Sequence, residues 1–122
     1  MSRDQPAILL LRILARLEKF QLSLLCAHGA GRGASALTHA GVGVLVSITA
    51  ERPNAGPVRW AVRVAPDGAQ WRVTSECWTR TLTTRSLLVE QTRTTFDSLH
   101  DVDTALDGTM RDGSRVFLRQ LA

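Results

Sequence analysis

Tyrosine is absent from this 122-residue chain, lysine occurs once, at Lys19, and cysteine twice, at Cys26 and Cys77. Two cysteines this far apart build neither a disulfide framework nor a zinc site, which needs clustered ligands, so both are read as buried, reduced thiols. Histidine is limited to His28, His39 and His100. No nucleophile-elbow motif surrounds any serine, and Glu51, Glu76 and Glu90 fall on predicted strand edges or solvent faces. These absences leave no triad and no acid–base pair, so the expectation is a non-enzymatic protein with no cofactor and no metal. Long apolar runs are missing too. After Arg3 and Asp4, the run from Ala7 to Leu11 is broken at once by Arg12. A signal peptide needs a longer stretch and a membrane span about 20 residues, so the chain is expected to be cytoplasmic, with no membrane span.

What remains is ordinary globular material. The length suits one domain over residues 1–122, and 44% hydrophobic with 21% charged residues is enough to fold around one core. The net charge of +4 points to an anionic partner, nucleic acid being the usual one. That inference is tempered because nearly all the cations are arginine in a chain rich in alanine and glycine, as a GC-rich bacterial coding bias would produce.

Asp4 is placed to cap a helix and Pro6 to open it, after which nothing breaks the pattern from Ala7 to Ala27. At 3.6 residues per turn, Leu9, Leu10, Ile13, Leu14, Leu17, Phe20, Leu24 and Leu25 share one broad arc. Arg12, Arg16, Lys19 and Ser23 form a narrow opposite ridge flanked by Leu11 and Leu22. The Gly/Ala-rich stretch 28–41 reads as a mobile connection, since its glycines follow a helix rather than a strand and lack the P-loop Lys-Ser/Thr. Val42 to Thr49 is rich in β-branched residues and reads as a central strand.

A hairpin follows, its turn signalled by Pro66-Asp67-Gly68. Val58, Trp60, Val62 and Val64 share one face, and Trp71, Val73, Ser75 and Cys77 the matching one. Setting Val64 against Trp71 places Arg63 opposite Arg72 and Arg59 opposite Glu76 on the solvent side. Thr79 to Phe96 reads as one long strand or two with a bend near Thr83–Arg85. A short helix from Ser98 to Asp107, capped by Asp97 and ended by Gly108, precedes a last strand over Arg115–Leu121. The sum is an α+β fold: a long N-terminal helix, an antiparallel sheet of about four to five strands with helices on one face, and a short second helix before the last strand.

Three sets of residues carry functional readings. The leading one is a small accessory protein of the adaptor, chaperone-like or toxin-neutralising kind, acting on another protein or on itself as a homodimer through Leu11, Arg12, Arg16, Lys19, Leu22 and Leu25. The alternative is nucleic-acid or anion binding by an arginine-lined hairpin with Arg59, Arg63, Arg72, Trp78 and Arg80. The third is a small-ligand pocket between sheet and first helix, lined by Trp60, Trp71 and Cys77. His100, Asp103 and Asp107 fall on neighbouring turns, in reach of one cation, but first-turn aspartates are expected from the helix dipole alone.

Overall fold

The computed structural model describes residues 5–28, 31–37, 43–52, 55–80 and 85–122. Its elements run α1 (Gln5–His28), β1 (Gly31–Leu37), β2 (Val44–Arg52), β3 (Ala55–Asp67), β4 (Gln70–Arg80), β5 (Ser86–Phe96) and α2 (Leu99–Leu121). The strands form one antiparallel meander in chain order, β1-β2-β3-β4-β5. Both helices pack on the same face of it, α1 over β1 and β2, α2 over β3 and β4. The expected α+β class, long first helix and one-sided helical layer are all present.

The core lies between these layers because every central strand alternates. Val44, Val46, Ile48 and Ala50 of β2, Val58, Trp60, Val62 and Val64 of β3, and Val73 and Cys77 of β4 are buried under the helices. From α1 come Leu10, Ile13 and Leu17, with Leu9, Leu14, Phe20, Leu24 and Leu25 packed around them. The arc read from helical periodicity is therefore the arc that packs. Trp60 is the joint between both helices. Its ring meets Phe20 of α1 edge-on at 5.9 Å and Phe117 of α2 at 6.3 Å, while its Nε1 donates to Ser75 Oγ at 2.8 Å.

Three features depart from the sequence reading. Residues 31–37, assigned to a mobile connection, form β1, which pairs with β2 from Gly31 opposite Ala50 to Leu37 opposite Val44. Two contacts explain why glycines serve a strand there. A Cβ on Gly33 would lie 2.4 Å from the Gln21 side chain, and one on Gly31 2.9 Å from Leu25, so α1 needs both positions bare. Gln21 Nε2 donates to Ser47 O at 2.7 Å and to Ala34 O at 3.2 Å, fastening the helix across β1 and β2.

The second departure is at the C-terminal end. No strand forms over Arg115–Leu121; α2 passes through Gly108 and Gly113 and ends at Leu121. Its cap is Ser98, whose hydroxyl accepts from Asp101 N at 3.1 Å, while Asp97 accepts from Gln70 Nε2 instead. A helical glycine costs about 1 kcal/mol relative to alanine. At Gly113 the missing side chain is what lets α2 approach the sheet, since a Cβ there would stand 2.6 Å from Trp60 Nε1 and 2.7 Å from Ser75 Oγ.

Third, the β3–β4 register is two residues from the expected one: Val64 faces Val73, Val62 faces Ser75 and Trp60 faces Cys77. The turn is Gly68-Ala69, closed by Asp67 opposite Gln70, with Gly68 in the left-handed region at φ 62°. A shift of two keeps every side chain on its face, whereas a shift of one would have reversed the hairpin. Thr79–Phe96 divides between two strands, one of the two readings expected: the end of β4 at Arg80 and the whole of β5; of the bend expected near Thr83–Arg85, Thr83 and Thr84 lie outside the described residues, as do Asp4 and His39.

Candidate functional site

The other face of the sheet is covered by no described element. The same alternation that buries Trp60 and Val62 turns Arg59 and Arg63 outward, and the ladders extend this across all five strands. Arg63 faces Thr74, which faces Arg93, so two arginines flank a threonine in one row. A second row runs Arg32, Thr49, Arg59, Trp78, Leu88. Arg72 lies opposite Ala65 and Thr95, and Arg80 opposite Ser86. The expected oppositions of Arg63 to Arg72 and Arg59 to Glu76 are corrected by the two-residue register change. Arg63 and Arg72 are diagonal neighbours, and Arg72 binds Asp67 at 2.9 Å.

Six arginines thus share this face with two carboxylates, Asp67 and Glu76, which matches the +4 surplus of the whole chain. On the helical side the charges are interleaved, and those between the two helices are paired. Arg16 donates to Asp103 Oδ1 at 2.5 Å, to Asp103 O at 2.6 Å and to Asp107 Oδ1 at 2.7 Å, and Arg12 lies 3.6 Å from Asp103. Partial burial works against the Arg16 cation, but these hydrogen bonds and the two carboxylate charges outweigh it and hold its pKa above the usual value. Asp103 and Asp107 are therefore occupied by arginine, and no group of three His, Cys, Asp or Glu able to hold a metal occurs among the described residues.

Arg63, Arg72 and Arg93 line a hollow of about 200 Å³ together with Ala65, Pro66, Thr74 and Glu76. Glu76 is pinned: its Oε2 accepts from Trp78 Nε1 at 2.8 Å and its Oε1 from Gln91 Nε2 at 3.1 Å. Trp78, the residue expected to stack on a base, is half-buried and held by that bond. Arg93 had no place in the sequence-derived set. Its signal was present in Thr92-Arg93-Thr94, which repeats the Thr79-Arg80-Thr81 pattern, but only the ladder aligns it with Arg63.

The other expected residues disperse. Leu11, Leu22 and Lys19 are exposed on α1, Leu25 packs toward β1, and Arg16 is spent on the helix–helix contact. Against α1 the space beside Trp60 is only about 10 Å³. A larger hollow of about 210 Å³ opens under α2 instead, with Trp60, Cys77, Glu90 and Thr92 but without Trp71. Burial first, and the nearby Glu90 charge second, push the Cys77 thiol up to about 11 against an opposing pull from Arg52, so it stays protonated at neutral pH. No described helix is long and apolar enough to cross a membrane.

No family model, no curated protein and no solved structure matches the chain.

Proposed function

We propose that the chain is a non-enzymatic accessory protein that works by binding another protein, and that the arginine-bearing open face of the sheet is the surface that receives it. The observation that carries this reading is the distribution of charge: on the helical side Arg12 and Arg16 are paired with Asp103 and Asp107, while six arginines against two carboxylates stand on a five-stranded surface with a hollow lined by Arg63, Arg72 and Arg93. Such a face steers and fits an acidic protein surface. Glu76, fixed in the middle of the arginines, suits a partner of mixed charge.

Three arginines lining one hollow also favour a second reading, a phosphodiester backbone crossing that hollow. A single locked aromatic and a carboxylate in its path make this the weaker one.

One experiment separates them. The protein is isolated gently from its native host in low salt, alongside an Arg63→Ala, Arg72→Ala, Arg93→Ala variant. A discrete protein held by the wild type, lost from the variant and insensitive to nuclease supports the first reading. Nucleic acid released by moderate salt, with binding to a single-stranded oligonucleotide falling steeply as salt rises, replaces it with the second. Equal retention by both forms removes the open face from either.

A further inference from the structure

The two edges of the sheet are finished differently. β1 is seven residues long, and its Ala34 carbonyl accepts from Gln21 of α1 at 3.2 Å. β5 is eleven residues long, contains no proline, glycine or lysine, and pairs with β4 alone; no described strand lies along its other side. From Glu90 to Phe96 it runs in unbroken register against Cys77 to Trp71. Such an edge turns main-chain N–H and C=O groups to solvent, and the partner that matches their spacing is another extended chain.

Two opposite charges mark this edge. In the ladder Arg93 follows Thr74 onto the open face, whereas Glu90 follows the buried Cys77 onto the helical face. Because α2 packs mainly over β3 and β4, Glu90 stays exposed beside the hollow of about 210 Å³ that it lines with Asp112. Neither Arg93 nor Glu90 makes an ion pair or a side-chain hydrogen bond among the described residues.

We infer that the partner protein enters along β5 as an antiparallel extended segment that extends the sheet, with an acidic residue opposite Arg93 and, three residues later, a basic residue opposite Glu90. The inference rests on the protein-binding reading above and adds the form and charge pattern of the bound segment. Antiparallel addition continues the meander and is the more stable pairing. Residues opposite each other share a face, so the acidic side chain meets Arg93 beside the hollow of Arg63 and Arg72, and the basic one turns toward the hollow of Glu90 and Asp112. A charge pointing inward at an edge deters indiscriminate pairing; Glu90 disfavours an apolar or acidic residue opposite it and admits a basic one. A second copy of β5 does not supply this pattern. Two-fold pairing of the edges keeps the helices of both copies on one side of the joined sheet, so Glu90 and Arg93 remain on different faces and never stand opposite each other.

The probe is an end-capped peptide of threonine and valine with one glutamate and, three residues later, one lysine, titrated into the full chain by fluorescence anisotropy. Saturable binding is expected near 0.1 mM, roughly, with amide exchange slowed at alternate residues of 90–96. Arg93→Glu weakens binding about tenfold, since an opposite-charge pair becomes a like-charge one, and a peptide with lysine at both positions restores it. Methylating one alternate set of peptide nitrogens abolishes binding, while methylating the other set spares it. No saturation by about 1 mM, indifference to Arg93→Glu, or equal tolerance of both methylated sets overturns the inference. So does protection of the same amides in the chain alone that rises with its concentration, which would identify a second copy as the occupant. In the isolation from the native host, a protein lost from the triple-arginine variant but kept by Glu90→Arg leaves the open face standing and removes the edge.

Discussion

The two helices are nearly equal in length, 24 and 23 residues, and lie side by side on one sheet, yet their outward faces differ. On α2 the buried line Leu99, Val102, Leu106, Met110 and Phe117 is backed by exposed Asp101, Thr104, Arg111 and Arg115. On α1 the buried line Leu10, Ile13 and Leu17 is backed by Ile8, Leu11 and Leu22. α2 carries the apolar surface that its own fold needs and no more, so its sequence is explained by the monomer. α1 carries a second apolar line, which costs solubility and contributes nothing to the monomer's core. That excess of exposed apolar surface is what separates α1 from α2.

Truncating apolar side chains on each helix should break the symmetry most visibly. Phe117→Ala, which empties the site against Trp60, is expected to lose about 3–5 kcal/mol in chemical denaturation. Leu22→Ala, on the exposed side of α1, should change stability by no more than about 0.5 kcal/mol. An equal loss at both positions would mean that α1's outer line belongs to the fold after all.

The next effect concerns what ties the helices together. Asp103 is buried and receives Arg16 twice, through its carboxylate and its backbone carbonyl. Arg16→Ala leaves that carboxylate without its main partner and should cost about 2 kcal/mol. Arg115→Ala, on the exposed side of α2, should be neutral within about 0.5 kcal/mol.

Glycine gives a contrast of sign within α2. Gly113→Ala should destabilise by about 1–3 kcal/mol, because the clash with Trp60 and Ser75 exceeds the helical gain. Gly108→Ala, whose Cβ would meet nothing nearer than Arg111 Nη2 at 3.7 Å, should stabilise by up to about 1 kcal/mol. Thermal melts of the pair read the difference directly.

The smallest effect separates the two thiols. Cys26, expected in the core but exposed near the end of α1, should be alkylated by iodoacetamide at pH 8, while Cys77, buried under α2, reacts only on unfolding. The folded-state pKa of Cys77 is raised from 9.0 to about 11, so its contribution to stability is complete below about pH 9 and fades as pH climbs through 11. In a Cys77→Ala variant this part of the alkaline decline should disappear.

Much of this arrangement was legible in the residues themselves. The α1 arc, the inward sets of β3 and β4 and the turn at Gly68 follow from side-chain periods of 3.6 and 2, which are local properties of the backbone. So does the outward turn of Arg59, Arg63 and Arg72. The site was legible in part: its hairpin arginines were identified, but Arg93 and the pinning of Glu76 were not, since both depend on which residue of β5 stands beside which residue of β4.

By itself, then, the sequence determined the class of fold, the inward faces of β3 and β4 and the surplus of apolar surface on α1, because hydrophobic burial acts on patterns a few residues long. Only the tertiary structure decided that residues 31–37 form an edge strand, that α2 runs through two glycines to Leu121, and that Arg63, Arg72 and Arg93 share one hollow. In each case the deciding term comes from a contact distant in the chain: Gln21 and Leu25 crossing bare glycines, Trp60 and Ser75 admitting only a glycine at position 113, and a ladder that aligns β5 with β4. Local propensities differ by about 1 kcal/mol or less, and such contacts exceed that.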